Sequence, residues 1–395
     1  MPSLTGIKHL IIDMDGILYL GDQPMPRLSE SFAFFFKERK TIMKTISLII
    51  LFAVILSACV TQPTPDPKVL STEFDALVEK NHQAGLFDGS ILVAQNGQVI
   101  FSKGYGFADR EKKIPNTPQT KFRLASITKQ FTAMAILLLQ EQGKLSVEDS
   151  ICNYITNCPE IFKPIKIRHL LSQSAGLPNS TNYSFPGEQM VSKYATPFFQ
   201  PGEQFKYQDV TFNIAGRIIE TVSGQSYASF LKQNIFEPLG MSNTGVDDLK
   251  QTDLAKGYSN AGGDIALQPF PGLFAEGSVY STVEDMYLWD QALYGDKLLP
   301  QSSLKVMFTS QVTVPDGEYY GSIDGSKGWS YGYGWFIAPK ELGYVIHGGM
   351  LPGYRTEIRR YMDDKAVIIL LTNHEAVDLT NTSESIAGKL LGNRK

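Results

Sequence analysis

The stretch MKTISLIILFAVILSAC, residues 43–59, constrains this chain more than any other, because it is a leader-like segment placed in the interior. Met43 and Lys44 precede an apolar run from Ile46 to Ala58, which closes on Leu56-Ser57-Ala58-Cys59. A bilayer-spanning helix needs about 20 residues, and this run is shorter. Its length and small-residue ending fit the apolar region and cleavage site of a secretory signal. A buried core helix is the simpler reading, but the proline-rich polar tether TQPTPDPK (61–68) follows at once, as a linker does. A secretory leader belongs at an amino terminus. The expected division is therefore 1–42 ahead of a functional start at Met43, a leader over 43–59, a linker over 60–68 and a body over 69–395.

Residues 1–42 hold a phrase of their own, IIDMDGILYLGD (11–22), in which an apolar strand ends at Asp13 and Asp15 follows with Gly16 behind it. It resembles the opening of the haloacid-dehalogenase-like phosphatases, which implies a nucleophile at Asp13 and a general acid/base at Asp15. Such a site also needs a downstream Lys and a second acidic cluster, and here the leader begins soon after SFAFFFKERK. The segment is read as a truncated, inert remnant. The Leu-Ser-Ala-Cys ending resembles a bacterial lipobox, which implies that Cys59 is lipidated and becomes the mature amino terminus. The expected location is then outside the cytoplasm, on the periplasmic or cell-surface side, anchored to a bacterial membrane through Cys59. Cys152 and Cys158, in ICNYITNCP, either bridge in that oxidising setting or stay as two thiols; the sequence leaves both open.

The chain as a whole is globular in composition, with 43% apolar and 19% charged residues. A net charge of −4 without Lys/Arg runs argues against a nucleic-acid partner. No glycine-rich phosphate loop or nucleotide fingerprint occurs, and His82 and His374 lack metal-ligand spacing, so neither cofactor nor metal is expected. STEFDALVEKNHQAG (71–85) reads as a helix. GSILVAQNGQVIFSKGYG reads as two strands around an Asn96-Gly97 turn. The middle holds helical stretches between Pro/Gly loops; YVIHGG, YRTEIRRYM and AVIILLTN follow as strands, and TSESIAGKLLG closes as a helix. The expected fold class is α/β (α+β): an antiparallel sheet built from both ends of the domain, flanked by helices, with a mostly helical insertion.

The chemistry begins in FRLASITKQFTAMAILLLQEQGKL (122–145). Ser126 is expected to open a helix whose apolar positions Ile127, Phe131, Met134 and Leu138 follow helical spacing. Lys129, three residues on, shares its face. A serine needs a base to become nucleophilic, and a neighbouring amine can be one. Taken alone, Ser-x-x-Lys is a weak signal, equally a helix cap and a solvated lysine.

Its company changes that. FRLASITKQFTA resembles the first motif of the serine β-lactamase and penicillin-binding-protein superfamily. PGEQFKYQDVTFNIAGRIIE (201–220) resembles the Tyr-x-Asn element of its class C β-lactamase and family VIII esterase branch. VIHGGMLPGY (345–354) stands where the third motif, Lys-Thr-Gly or His-x-Gly, is expected. IRHLLSQSAGLP, PLGMSNTG, AEGSVYSTVEDMYLWDQAL and YGYGWF follow that branch in order, so the likeness runs through about residues 71–395. It implies a β-lactamase/transpeptidase-like fold and a serine hydrolase working through an acyl-enzyme on a small-molecule or peptide substrate. Ser126 would be the nucleophile, Lys129 its proton acceptor or the support of one, and Tyr207 the shared general base and acid, its phenol pKa lowered by nearby positive charge. His347, Gly348 and Gly349 would line the site's edge. The backbone N–H groups of Ser126 and Met350 would form the oxyanion hole.

Two residues depart from the family pattern. Asp209 stands where the branch has Asn, and a carboxylate accepts hydrogen bonds but does not donate them. Beside Lys129 it would favour the charged ammonium, leave Tyr207 more of the work and repel acidic substrates. His347 replaces a lysine, so the permanent charge that would hold a substrate carboxylate is missing; Arg355 is the candidate substitute. Both departures favour an esterase or a D-amino-acid peptidase over a β-lactamase. A sensor that acylates without turnover is the competing class. Elsewhere, GQSYA around Ser226 mimics a nucleophile elbow without its closing glycine, and His169 has the pattern of a packed helix residue.

Overall fold

A computed structural model describes residues 66–177, 198–259, 273–318, 327–377 and 379–392, together with the backbone of three short strands near the amino terminus. The chain divides into two units, Met1–Thr64 and Pro65–Lys395. In the first, Leu10–Ile12, Leu18–Leu20 and Gln23–Pro24 form an antiparallel sheet in that order. Asp13, Asp15, the leader and Cys59 lie outside the described residues.

The second unit opens with helix α1 (Pro67–Gln83). The linker was expected to run to Lys68, but the Asp66 carboxylate caps the Lys68 N–H at 2.9 Å and Pro67 takes the first turn, where a proline costs no hydrogen bond. Leu70, Phe74 and Val78, four apart, form the buried stripe of this helix. Strands β1 (Gly89–Gln95) and β2 (Gln98–Tyr105) pair through the Asn96-Gly97 turn. After a short strand β3 (Phe122–Arg123) come α2 (Thr128–Glu141), α3 (Ile167–Leu171) and α4 (Asp209–Ser223). Next are β4 (Gly245–Val246), β5 (Val279–Ser281) and α5 (Val283–Ala292). The chain then forms β6 (Val312–Thr313), β7 (Ser330–Tyr331), β8 (Phe336–Ile337), β9 (Val345–Leu351), β10 (Tyr354–Tyr361) and β11 (Ala366–Thr372), and ends in α6 (Leu379–Leu391).

The main sheet has the order β6-β7-β8-β9-β10-β11-β1-β2, antiparallel throughout. The last strand pairs with the first, Ile369 against Leu92, which is the both-ends construction read from the sequence. Strand β11 shows why AVIILLT lacks alternation. Its side chains go to opposite faces, and both faces are covered. Val367, Ile369 and Leu371 join the core with α2 and α5, while Ala366, Ile368 and Leu370 join the core with α1 and α6. A small sheet, β3-β5-β4, sits apart from the large one. Cys152 and Cys158 form a disulfide with their Cα atoms 5.2 Å apart, which resolves the pairing left open above.

Candidate active site

Helix α2 is buried on all sides from Thr128 to Leu139. A helix with no solvent face needs apolar residues all round, so its few polar residues stand out. Ser126 precedes it in a 3₁₀ turn, Ala125–Ile127, rather than opening the α-helix itself. Ala125 holds a left-handed φ of 50°, a conformation costly for a residue with a Cβ. The turn is pinned from two sides. Leu124 N–H donates to Val279 O at 2.8 Å, and Thr356 Oγ1 donates to Leu124 O at 2.8 Å. Strand β9 lies so close that a Cβ on Gly349 would stand 2.1 Å from Leu124 O; only glycine fits there.

Lys129 is fully buried, and its three N–H groups all have acceptors: Ser126 Oγ at 3.0 Å, Asp209 Oδ1 at 2.8 Å and Glu276 O at 3.0 Å. The Tyr207 ring lies over it, with Nζ 4.9 Å from the ring centroid, and the phenol interacts with both Lys129 and Ser126. The structure therefore brings Ser126, Lys129, Tyr207 and Asp209 together from two separate stretches of sequence. Burial disfavours the charge on Lys129, but the Asp209 carboxylate and the Tyr207 oxygen outweigh it, so the ammonium is held above the ordinary lysine range. That matches the expectation for an Asp at this position.

The expectation for Tyr207 is overturned. Its pKa is raised, not lowered. Burial is the largest cause; Lys129 opposes it, but Asp209 cancels much of that help by placing a negative charge beside the positive one.

His347 is on β9 as expected, yet its ring is buried and both nitrogens are engaged. Nδ1 is 2.7 Å from Gly348 O, so it carries the proton and donates; Nε2, 3.0 Å from Tyr331 Oη, accepts. Burial, and then Lys129, push its pKa down to about 3. The ring is neutral and supplies no charge to a substrate. Gly348 and Met350 are exposed on the strand, whereas Gly349 is buried against the Ser126 turn. Arg355 does not take the place of the missing lysine. It pairs with Met350, three residues along β9 from His347 and so about 10 Å away. There its Nε donates to Glu375 O at 3.1 Å and Nη1 rests on Met350 Sδ.

One site residue was missed. Glu276, in the turn before β5, gives its carbonyl to Lys129, and its carboxylate accepts the Phe274 N–H at 2.8 Å. Burial raises its pKa, which Lys129 and the backbone N–H donors only partly offset. The sole sequence signal was an acidic residue inside the otherwise apolar phrase LFAEGSVY. Ser226, the mimic elbow, caps a short helix by accepting the Ser229 N–H, and His169 is buried.

Comparison with known proteins agrees with the fold. A family model described as Beta-lactamase matches residues 73–388. Penicillin-binding protein 4* of Bacillus subtilis (strain 168) is 32% identical over 340 residues, 78% of this chain and 72% of that protein. The octameric penicillin-binding protein homologue from Pyrococcus abyssi superposes with a TM-score of 0.70 at 30% identity, covering 82% of this chain and 77% of that one. D-amino acid amidase from Ochrobactrum anthropi SV3, solved with L-phenylalanine amide, shares the fold at a TM-score of 0.68 and 24% identity, over 82% and 97% of the two chains. The chain belongs to the β-lactamase family, within the serine β-lactamase and penicillin-binding-protein superfamily.

Proposed function

We propose that this protein is a serine hydrolase that cleaves ester or amide bonds through an acyl-enzyme on Ser126. The observation that carries this reading is the buried Lys129, which donates to Ser126 Oγ while Tyr207 lies against both. Because all three Lys129 hydrogens are committed, the amine has no lone pair to receive the Ser126 proton. Tyr207 is then the base. As phenolate it takes the Ser126 proton while Oγ attacks the substrate carbonyl, and it returns that proton to the departing alcohol or amine. Water, deprotonated by Tyr207 in turn, attacks the acyl carbonyl and frees Ser126. The Lys129 ammonium stabilises the phenolate throughout. The backbone N–H groups of Ser126 and Met350 are assigned to the oxyanion, where one donor contributes about 3 kcal/mol.

Within this class, an esterase or a peptidase acting at D-amino acids is favoured over a β-lactamase. Among the described residues, the neutral His347 and an Arg355 that pairs with Met350 rather than His347 offer no cation in the place of the family's third-motif lysine. A second reading, a sensor that acylates but does not turn over, draws support from the raised Tyr207 pKa, which slows deacylation at neutral pH. We further assign the protein to the outer side of a bacterial membrane, anchored through Cys59, with residues 1–42 removed or never made. Labelling with a fatty acid that disappears in Cys59→Ser tests the anchor.

A short-chain chromogenic ester, a chromogenic cephalosporin and a D-alanyl-D-alanine peptide test the activity. Turnover of the ester or peptide that is lost in Ser126→Ala is expected. A stable adduct without turnover would favour the sensor, and activity that survives Ser126→Ala would sink both readings.

A further inference from the structure

Asp209 differs from every other charged group at the centre of this site in being open to solvent. Its side chain is 56% exposed, against 0% for the Lys129 side chain it touches. Only Oδ1 is bonded to the lysine, at 2.8 Å. The Lys129 ammonium is spent on three acceptors, His347 is neutral with both nitrogens engaged, and Glu276 is buried with a carboxylate oxygen tied to the Phe274 N–H. A substrate approaching Ser126 from this side therefore meets a carboxylate that accepts hydrogen bonds and donates none.

We propose that Asp209 is a specificity-determining residue, and that it binds a free ammonium group on the acyl half of the substrate, selecting α-amino esters, amides or peptides cleaved behind an unblocked amino-terminal residue. The distances allow it. Ser126 Oγ and Asp209 Oδ1 share Lys129 through bonds of 3.0 and 2.8 Å, so they are at most 5.8 Å apart. In an α-amino acyl group the nitrogen is about 2.5 Å from the carbonyl carbon, and that carbon approaches the nucleophile to about 3–3.5 Å. A nitrogen so placed spans the gap to the carboxylate. An N-acylated substrate instead presents a carbonyl oxygen or a bulky neutral amide, and the carboxylate repels the first and gains less from the second. Lys129, Tyr207, Glu276 and His347 are the other titrating groups that interact with Asp209; the resting Tyr207 is a neutral phenol, His347 is neutral and the Glu276 carboxylate is buried, so Asp209 is the exposed anion among them.

This inference rests on the Ser126 hydrolase reading, and the test separates the two. The matched pair is D-alanine methyl ester and N-acetyl-D-alanine methyl ester, followed by pH-stat. The wild-type chain is expected to show kcat/KM at least tenfold higher for the free amine, and Asp209→Asn to bring the ratio to one or below. A ratio is read because Asp209→Asn also alters the overall rate. Equal use of both esters by the wild type, or a ratio unchanged by the substitution, overturns the proposal while leaving the hydrolase reading intact. Hydrolysis that survives Ser126→Ala overturns that reading instead. Calorimetric titration of both esters into Ser126→Ala needs no turnover; the free amine must bind at least tenfold tighter, and equal affinity counts against the proposal.

Discussion

Arg360 and Lys129 are both buried cations paired with an aspartate, and they differ in one respect. Arg360 on β10 meets Asp290 on α5 with both side chains sealed from water, and Tyr294, Phe308 and Trp335 surround the guanidinium with ring centroids 4.7, 5.2 and 5.7 Å away. Lys129 is equally buried, but its aspartate is open to solvent and its other contacts are a serine hydroxyl and a phenol. The first pair joins a strand to a helix. In the second, the carboxylate itself is open to solvent, and replacing it changes the charge felt by the reacting groups. Burial of the cation is common to both; exposure of the anion separates a structural pair from a chemical one.

The comparison breaks most visibly at Lys129. Lys129→Ala is expected to cut ester turnover per folded molecule by about a thousandfold, equivalent to about 4 kcal/mol of transition-state stabilisation, together with the loss of stability that emptying a fully buried side chain causes. Steady-state kinetics beside urea unfolding would show both. Asp290→Asn should differ in turnover: unfolding stability falls by about 3–5 kcal/mol because Arg360 is left buried and uncompensated, while kcat per folded molecule stays near wild type. A turnover loss equal to that of Lys129→Ala would erase the distinction. Asp209→Asn sharpens it. Removing a negative charge beside Tyr207 favours the phenolate and lowers its pKa, so the rising alkaline limb of the kcat/KM profile moves to lower pH. An upward shift would mean that Tyr207 is not the base. The smallest effect is expected at Ala125→Gly, where relief of the left-handed backbone and loss of the side chain nearly cancel, leaving stability within about 1 kcal/mol by thermal unfolding.

Much of this arrangement was legible from residues alone, and the reasons differ by region. The hairpin at Asn96-Gly97 and the strand AVIILLT are local signals, and both are found in the sheet. Ser126, Lys129 and Tyr207 were legible only as phrases in order, since nothing within PGEQFKYQDV says that it will lie against FRLASITKQ. Asp209 beside Lys129 followed from the same ordering, and so did the direction of the lysine's pKa. The Tyr207 direction did not, because it depends on how far burial outweighs one cation that Asp209 half-neutralises. That balance exists only in three dimensions. The place of Arg355 was missed because register, not proximity in sequence, decides that it faces Met350 rather than His347. Glu276 was hidden because its carbonyl, which any residue carries, is what touches the lysine.

The pairing of β1 with β11 has a consequence for how the molecule comes into being. Leu92 can pair with Ser102 in the hairpin at once, but its other edge stays open until Ile369 has been synthesised, and Ile91 and Val93 wait equally long for their core to close. Strand pairing over so great a chain separation makes for slow folding. During that interval an apolar strand edge is open to any neighbouring chain. A polypeptide truncated before Ala366 would lack the strand through which the two ends of its own sheet meet.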